Sequence, residues 1–327
     1  MFMGEMNRHQ LGKVARQYYL ENFTVRQIAD KLNVSMSTVS RMLTRAKREH
    51  IVEITIHDVH ADFRNIEIEL ESAFEIKECV VVPASEKTES MYSDMARAVA
   101  EVFERFIHNN THLGVSWGET LKAIGDNLPV SRPKHVHVVP IIGAMGTIET
   151  GIYPNSIAKS FADKLGGVSY LINSPAILGS KKMRNSVLRD RNFARVNAIW
   201  NKIDVVLLSV SNLERDASVS KFRIFSSQEL EYLRSIGIVC ATNFNMLNAE
   251  GQPVGQKISD RIINMDMGRL RKVKTIILAA CGASKVEAIL AALRGQILDI
   301  LITDNETAKA VLKRHSVLSS QKTPSRD

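Results

Sequence analysis

The sequence predicts a small three-helix helix-turn-helix domain followed by a doubly wound, mostly parallel-sheet α/β domain. Residues 24–48, TVRQIADKLNVSMSTVSRMLTRAKR, read as two short helices joined by a tight turn. From residue 78 onward, near-continuous β-branched runs alternate with helical stretches, the pattern of a parallel sheet covered on both faces. Charge is segregated as well: residues 8–48 hold nine Lys/Arg against Glu21 and Asp30, a net +7 in a chain whose net charge is +8.

At 327 residues the chain exceeds one average domain, and its 45% hydrophobic content is enough for a sizeable core. A pI near 9.4 suits an acidic partner, and the clustering of charge indicates where that partner binds. Cys79, Cys240 and Cys281 are odd in number and widely spaced, without a C-x-x-C pattern, so reduced core cysteines are expected. No apolar run approaches the roughly 20 residues of a membrane span, and the first ten residues lack a signal-peptide core. The expectation is a cytoplasmic protein with no membrane partner.

A supporting helix is predicted first, with Leu11, Val14, Ala15 and Tyr18 at i, i+3, i+4 and i+7. Thr24 and Gln27 then form a reciprocal capping arrangement, and the helix it opens runs to about Leu32. Asn33-Val34-Ser35 makes the turn, with Ser35 capping a second helix whose inward stripe is Val39, Met42, Leu43 and Ala46. Rotation by about 100° per residue puts Ser37, Ser40, Arg41, Thr44 and Arg48 on the opposite face, beside Thr38, Arg45 and Lys47. Hydroxyls and guanidinium groups on one helix face suit the major groove, while basic ends hold phosphates. The candidate DNA-facing set therefore adds Thr24, Arg26, Gln27 and Ser35 to these residues. A solvated surface helix or a protein-docking hairpin is the alternative reading.

Residues 51–57 alternate with period two, which predicts a short strand that closes a DNA-binding domain over residues 1–57. Residues 58–77 form a connecting segment, in which Phe63, Ile66, Leu70 and Ala73 mark a helical stripe. That stripe fits a dimer seam and packing on the next domain equally well. Strands are expected at residues 79–82, 112–116, 135–142, 168–172, 205–210, 238–242, 275–280 and 297–303, with helices at 90–107 and 119–125. The effector domain spans 78–318, and the polar residues 319–327 form a disordered tail.

In an open parallel sheet, ligands gather beyond the carboxyl ends of the strands, where small-residue loops meet helix N-termini. Three loops fit: Ser116, Trp117, Gly118, Glu119 and Thr120; Gly143, Ala144 and Gly146; and Gly282 with Lys285. Glycine at a strand end also serves as a simple turn. Lys285 is more informative, because an ammonium at the positive end of a helix is disfavoured unless an anion neutralises both. The alternative is a solvated lysine at a frayed first turn.

No H-E-x-x-H, G-x-S-x-G or P-loop pattern is present. His135 and His137 share one strand face; an acid/base or metal role is possible in principle, but flanking residues at a strand entrance are the expectation. No catalytic residue, metal or cofactor is assigned.

The chain resembles the SorC family of bacterial sugar-responsive transcriptional regulators over nearly its whole length. In the head the match is carried by Val34-Ser35, Thr38-Val-Ser-Arg41, Leu43, Ala46 and Ile51-Val52. Beyond it lie Gly114-Val-Ser-Trp-Gly118 with Thr120, residues 175–196, Lys285-Val-Glu-Ala-Ile289, Ala291-Ala-Leu-Arg-Gly295 and Leu301-Ile-Thr-Asp304. The resemblance implies a sugar-phosphate-isomerase-like fold reused as a sensor. Gly118 and Thr120 would hold phosphate or hydroxyl oxygens, and Lys285 would meet the phosphate. Four positions depart from the family pattern. Ile142 stands where some members carry Lys or Arg; Glu119 replaces a small residue; Gln256 replaces a frequent acid; and Cys281 replaces the first Gly of a pair. The implied function is an oligomer, dimer or tetramer, that binds operator DNA of a carbohydrate operon under control of a sugar or sugar phosphate. The rival is a sugar-phosphate isomerase-type enzyme with a nucleic-acid-binding extension, which would need an acid/base pair near the sugar.

Overall fold

The computed structural model describes residues 8–52, 63–131, 135–145, 152–212 and 224–321. The chain divides into two compact units, residues 1–61 and 62–327.

The first unit contains α1 (Arg8–Tyr19), α2 (Val25–Leu32) and α3 (Met36–Arg48). Thr24 opens α2 with a capping box: the Gln27 amide donates to Thr24 Oγ1 (3.3 Å) and the Thr24 amide to Gln27 Oε1 (2.8 Å). Asn33 ends α2 in the left-handed region, φ 52°, where asparagine is tolerated, and the chain reverses within three residues. Ser35 then caps α3 by accepting from the Thr38 amide at 3.2 Å. Leu11, Val14, Ile28, Val39, Met42 and Ala46 are buried together, as the helical spacing requires. Tyr18 departs from expectation at 38% exposure. The α1 helix stops at Tyr19, and the Phe23 amide donates to the Gln17 carbonyl (3.0 Å); this turn brings Tyr19 and Phe23, rather than Tyr18, onto the core. Ile51 and Val52 fold back onto the same core through bonds from their amides to the Ala46 carbonyl. The rest of the expected strand, residues 53–57, lies outside the described residues; of the tail predicted over 319–327, residues 319–321 instead continue the last helix (Asn305–Gln321) and the remainder lies outside the described residues.

The second unit opens with α4 (Arg64–Phe74), which packs onto its own domain through Leu70 and Phe74. Ala73 is exposed, and Glu67 takes a buried place in the stripe for a specific reason. Strand β1 (Glu78–Val82) is a sheet edge, and Glu71 and Glu67 accept from its outward amides, Cys79 at 3.0 Å and Val81 at 2.9 Å. Arg64 holds both carboxylates, at 3.1 and 3.2 Å. The helix thus covers an edge that would otherwise present unpaired backbone groups.

The remaining elements are α5 (Thr88–Phe106), β2 (His112–Val115), α6 (Glu119–Asn127), β3 (His137–Pro140), α7 (Pro154–Lys164), β4 (Val168–Ser169), α8 (Lys181–Arg189), α9 (Arg191–Trp200), β5 (Val205–Leu208), α10 (Ser227–Ser235), β6 (Cys240–Thr242), β7 (Asn245–Leu247), α11 (Gln256–Ser259), α12 (Met267–Leu270), β8 (Thr275–Ala279), a 3₁₀ turn (Ala283–Lys285), α13 (Val286–Arg294), β9 (Ile300–Asp304) and α14 (Asn305–Gln321). Seven strands form one parallel sheet in the order β1-β9-β8-β5-β2-β3-β4. Alternate strand residues feed two cores: Ile277 and Ala279 of β8 face α5, α6 and α7, whereas Ile276 and Leu278 face α4, α13 and α14. The segment expected as a sheet strand at 238–242 instead forms an antiparallel hairpin, β6 with β7. Its sequence is as apolar as the sheet strands, but a two-residue turn pairs it with its successor.

Strand order fixes where a ligand can sit. From β2 the chain runs outward to β3 on one side, and from β5 it runs to β8 on the other. The crevice between β2 and β5, at their carboxyl ends, is the topological switch point. Among the described residues no helix is long and apolar enough to cross a membrane.

Candidate functional site

A cavity of about 420 Å³ lies at that switch point. After β2, Trp117, Gly118, Glu119 and Thr120 line it; after β8, Cys281, Gly282, Ser284 and Lys285 do so. Gly118 and Gly282 hold φ of 120° and 100°, conformations that side chains rarely adopt, and both leave open space where a Cβ would stand. Neither glycine therefore places a side chain between the cavity and the backbone at the starts of α6 and of the 3₁₀ turn. The Gly282 amide itself is held by Asp304 (3.1 Å) and Thr307 (2.8 Å) at the end of β9.

Lys285 donates to Thr120 Oγ1 at 2.6 Å, joining the first and third predicted loops. Burial lowers the lysine's pKa, against which Cys281 and Glu119 act weakly in the opposite sense. Burial also pushes the Cys281 thiol up to about 11, so it is a neutral wall group at physiological pH. The Tyr92 phenol, from α5, is likewise raised by burial.

Besides α5, sequence reasoning missed two lining segments. Ser209, Val210, Ser211 and Asn212 follow β5 and line the cavity; the rule that ligands gather beyond strand ends would have found them. The Ser209 hydroxyl is buried without a hydrogen-bond partner among the described residues. The turn between β6 and β7 contributes Asn243 and Phe244, at φ of 50° and 55°. Phe244 stacks on Trp117 with centroids 5.3 Å apart. Asn243 donates to the carbonyls of Ile141 (3.0 Å) and Met265 (3.2 Å) and accepts from Ser116 Oγ (3.1 Å). Ser116 is thus buried behind the wall rather than in it. No local sequence signal marks Asn243.

Two expected contributors are not brought to the cavity. The amides of Gly143 and Ala144 are committed to the carbonyls of Ile263 (2.8 Å) and Ser174 (2.7 Å). A Cβ at Gly143 would stand 2.7 Å from the Ser174 oxygen, so this glycine permits two backbone segments to meet. Gly146 lies outside the described residues. Gln256 is exposed on α11 and donates to Asp260 at 2.7 Å. The histidines sit at the other end of the sheet: His137 opens β3, stacks on His112 (4.6 Å) and lies 3.0 Å from the Tyr170 hydroxyl. Among the described residues no cluster of three His, Cys, Asp or Glu could hold a metal.

In the first unit, Arg26, Ser37, Ser40, Arg41, Thr44, Lys47 and Arg48 are exposed. Others of the predicted set are partly committed: Thr24, Gln27, Ser35 and Thr38 to capping, and Arg45 to Glu49 at 2.5 Å. Arg41 has only a long contact to the Ser37 carbonyl (3.4 Å) and is the least tied guanidinium at the centre of the α3 face.

A sugar-binding domain family (Sugar-bind) matches residues 60–313, and Sigma-70 region 4 matches residues 17–49. The sorbitol operon regulator of Klebsiella pneumoniae is 29% identical, over 92% of this chain and 96% of the relative. The deoxyribonucleoside regulator of Bacillus subtilis is 28% identical, over 92% and 96%. The crystal structure of the full-length Klebsiella regulator SorC superposes with a TM-score of 0.72, covering 93% of this chain and 99% of that one. These relatives are regulators, not enzymes. With a family match over most of its length, a helix-turn-helix head and a parallel-sheet effector unit, the chain belongs to the SorC family of sugar-binding transcriptional regulators.

Proposed function

We propose that this chain regulates a carbohydrate-use operon by binding operator DNA through α3, and that a phosphorylated sugar in the 420 Å³ cavity changes its operator affinity. The observation that carries the phosphate reading is Lys285: a lysine with a burial-lowered pKa, held 2.6 Å from Thr120 between two helix starts that Gly118 and Gly282 leave without side-chain cover. A phosphate dianion would bridge the ammonium and the amides, a charge-assisted arrangement. The Trp117 and Phe244 rings suit the C–H face of a sugar, while Ser209 and Asn212 suit its hydroxyls.

A free polyol is the second reading. Glu119 lines the same cavity and repels a dianion unless turned away, and two similar regulators are named for sorbitol and deoxyribonucleosides. A thermal-shift screen of sugar phosphates against free polyols separates the readings. A ligand at a hundred times its dissociation constant raises stability by about 2.7 kcal/mol. Stabilisation by polyols alone would sink the phosphate reading. The working form is a cytoplasmic homo-oligomer, dimer or tetramer, since a specific complex of such heads normally spans two half-sites.

A further inference from the structure

Basic residues outside the head are also clustered. Residues 181–195 hold six Lys/Arg and one acid, Asp190, a net +5. Together with the head's +7 this exceeds the chain's +8, so the remainder is net acidic. The segment forms α8 and α9; α8 has no buried residue, and α9 turns Phe193 and Trp200 inward. Lys182, Asn185, Ser186 and Arg189 fall at i, i+3, i+4 and i+7, one outward stripe, and with Lys181 line a concavity of about 540 Å³. Arg191 and Arg195 extend the charge along α9.

Two of the six cations are engaged: Lys181 pairs with Asp260 (2.9 Å), and Arg184 donates to the Ile262 carbonyl (2.8 Å). Lys182, Arg189, Arg191 and Arg195 are exposed and have no carboxylate partner among the described residues. Four uncompensated cations repel one another unless a polyanion neutralises them. Lys182 and Arg189 are seven residues apart, roughly 10 Å along the helix, about the axial rise of three phosphates on one DNA strand. Between them Asn185 and Ser186 offer neutral donors of the kind that meet phosphate oxygens.

We propose that the face formed by α8 and α9 is a second, sequence-independent DNA contact that engages backbone phosphates outside the stretch read by α3. The inference rests on the chain being a DNA-binding regulator. A head bound to its operator tethers this face near the same polyanion, at an effective concentration on the order of millimolar for a short linker, so that even a weak contact adds to binding.

The test uses the full chain with Lys182, Arg189, Arg191 and Arg195 all changed to Ala, on two duplexes: one that ends at the operator's edges, and one extended by several helical turns on each side. Affinity is measured across a salt series. On the extended duplex the slope of log K against log salt should shrink by up to about 3.6 per bound chain, four contacts at about 0.9 each, while the short duplex is bound as by wild type. The charge-keeping variant, with Lys182→Arg and each arginine changed to Lys, should retain the wild-type slope. None of the four side chains is paired, so the thermal midpoint serves as a folding control. An unchanged slope on the extended duplex, with the midpoint intact, would overturn the proposal and leave the face for an acidic protein. Loss of short-duplex binding by wild type would instead fault the head's assignment, which is a separate failure.

Discussion

Lys285 Nζ lies 2.6 Å from Thr120 Oγ1, tying the loop after β8 to the first turn of α6 across the switch point of the sheet. The two residues are 165 positions apart in sequence, and their union places one ammonium beside the starts of α6 and of the 3₁₀ turn. The proposed anion binding would rest on that cation.

Lys285→Ala should weaken a phosphorylated effector by about 10- to 150-fold, the equivalent of a charge-assisted contact worth roughly 1.5–3 kcal/mol. Operator affinity without effector should be unchanged, because the head does not use this loop. Titration of operator-bound protein with a sugar phosphate, wild type against variant, makes the comparison. An unaltered response would return Lys285 to the ordinary surface reading.

The pH dependence follows from the same residue. Its folded pKa is lowered, chiefly by burial, so the unfolded chain binds more protons in the interval between the two pKa values. The contribution of Lys285 to stability therefore rises with pH across that interval, below the ordinary lysine value of 10.5. A bound phosphate restores the charge. Effector affinity should be full below the free protein's lysine pKa, fall as pH rises from that value to the higher pKa of the complex, and level off above it, with proton uptake on binding within that window. Calorimetry in buffers of different ionisation enthalpy detects the uptake; Lys285→Ala should abolish it.

Asn243 ties the β6–β7 turn to the ends of β2 and β3 and to residue 265 through three side-chain bonds. Asn243→Ala removes all three bonds, including the acceptor of the buried Ser116 hydroxyl, although the Ile141 carbonyl keeps the Met265 amide (2.8 Å) and the Met265 carbonyl keeps Asn245 Nδ2 (3.1 Å), and it imposes alanine on a left-handed backbone position. A loss of about 2–4 kcal/mol in urea unfolding is expected, with a weaker effector response. Asn243→Gly removes the same bonds without the backbone penalty and should cost less.

Most of this architecture is legible locally. Capping boxes, a 3.6-residue stripe and alternating β-branched runs are decided by neighbours in sequence, and the structure places them within a few residues of expectation. Cavity walls are different. Asn243 and Phe244 reach the site because a hairpin that sequence alone assigns to the sheet turns back on itself, and no periodicity encodes where its turn lands. Gly143 reads as a ligand loop for the opposite reason. A glycine after a strand serves equally for anion approach and for backbone approach, and only the Ser174 carbonyl at 2.7 Å from its missing Cβ decides. Similarly, nothing in the apolar stripe of α4 marks Glu67 and Glu71, which satisfy the amides of an edge strand 14 and 8 residues further on.

Oligomeric binding is the next expectation. One three-helix head covers only a few base pairs, and specific sites normally comprise two half-sites about one helical turn, or a multiple of it, apart. Sedimentation of the operator complex should give at least two chains per duplex. A single chain bound at full affinity would refute this.

The last prediction concerns the face of α3. Arg41 is exposed near the middle of that helix and is held only by a 3.4 Å contact to the Ser37 carbonyl, so its guanidinium is free to take a bidentate position on a guanine edge. Lys47 and Arg48 lie in the last turn, and the Lys47 ammonium rests 5.8 Å from the Tyr19 ring centroid, a placement suited to phosphate. Base contacts carry specificity, whereas phosphate contacts carry affinity and its salt dependence. Arg41→Ala should therefore cost about 1–3 kcal/mol on the operator and much less on random DNA, with relaxed preference at one base pair. Lys47→Ala with Arg48→Ala should weaken both DNAs alike and reduce the salt slope by roughly 2 per bound chain. Competition binding of each variant against operator and random duplexes separates the roles, and an equal loss on both DNAs for Arg41→Ala would place a different residue in the groove.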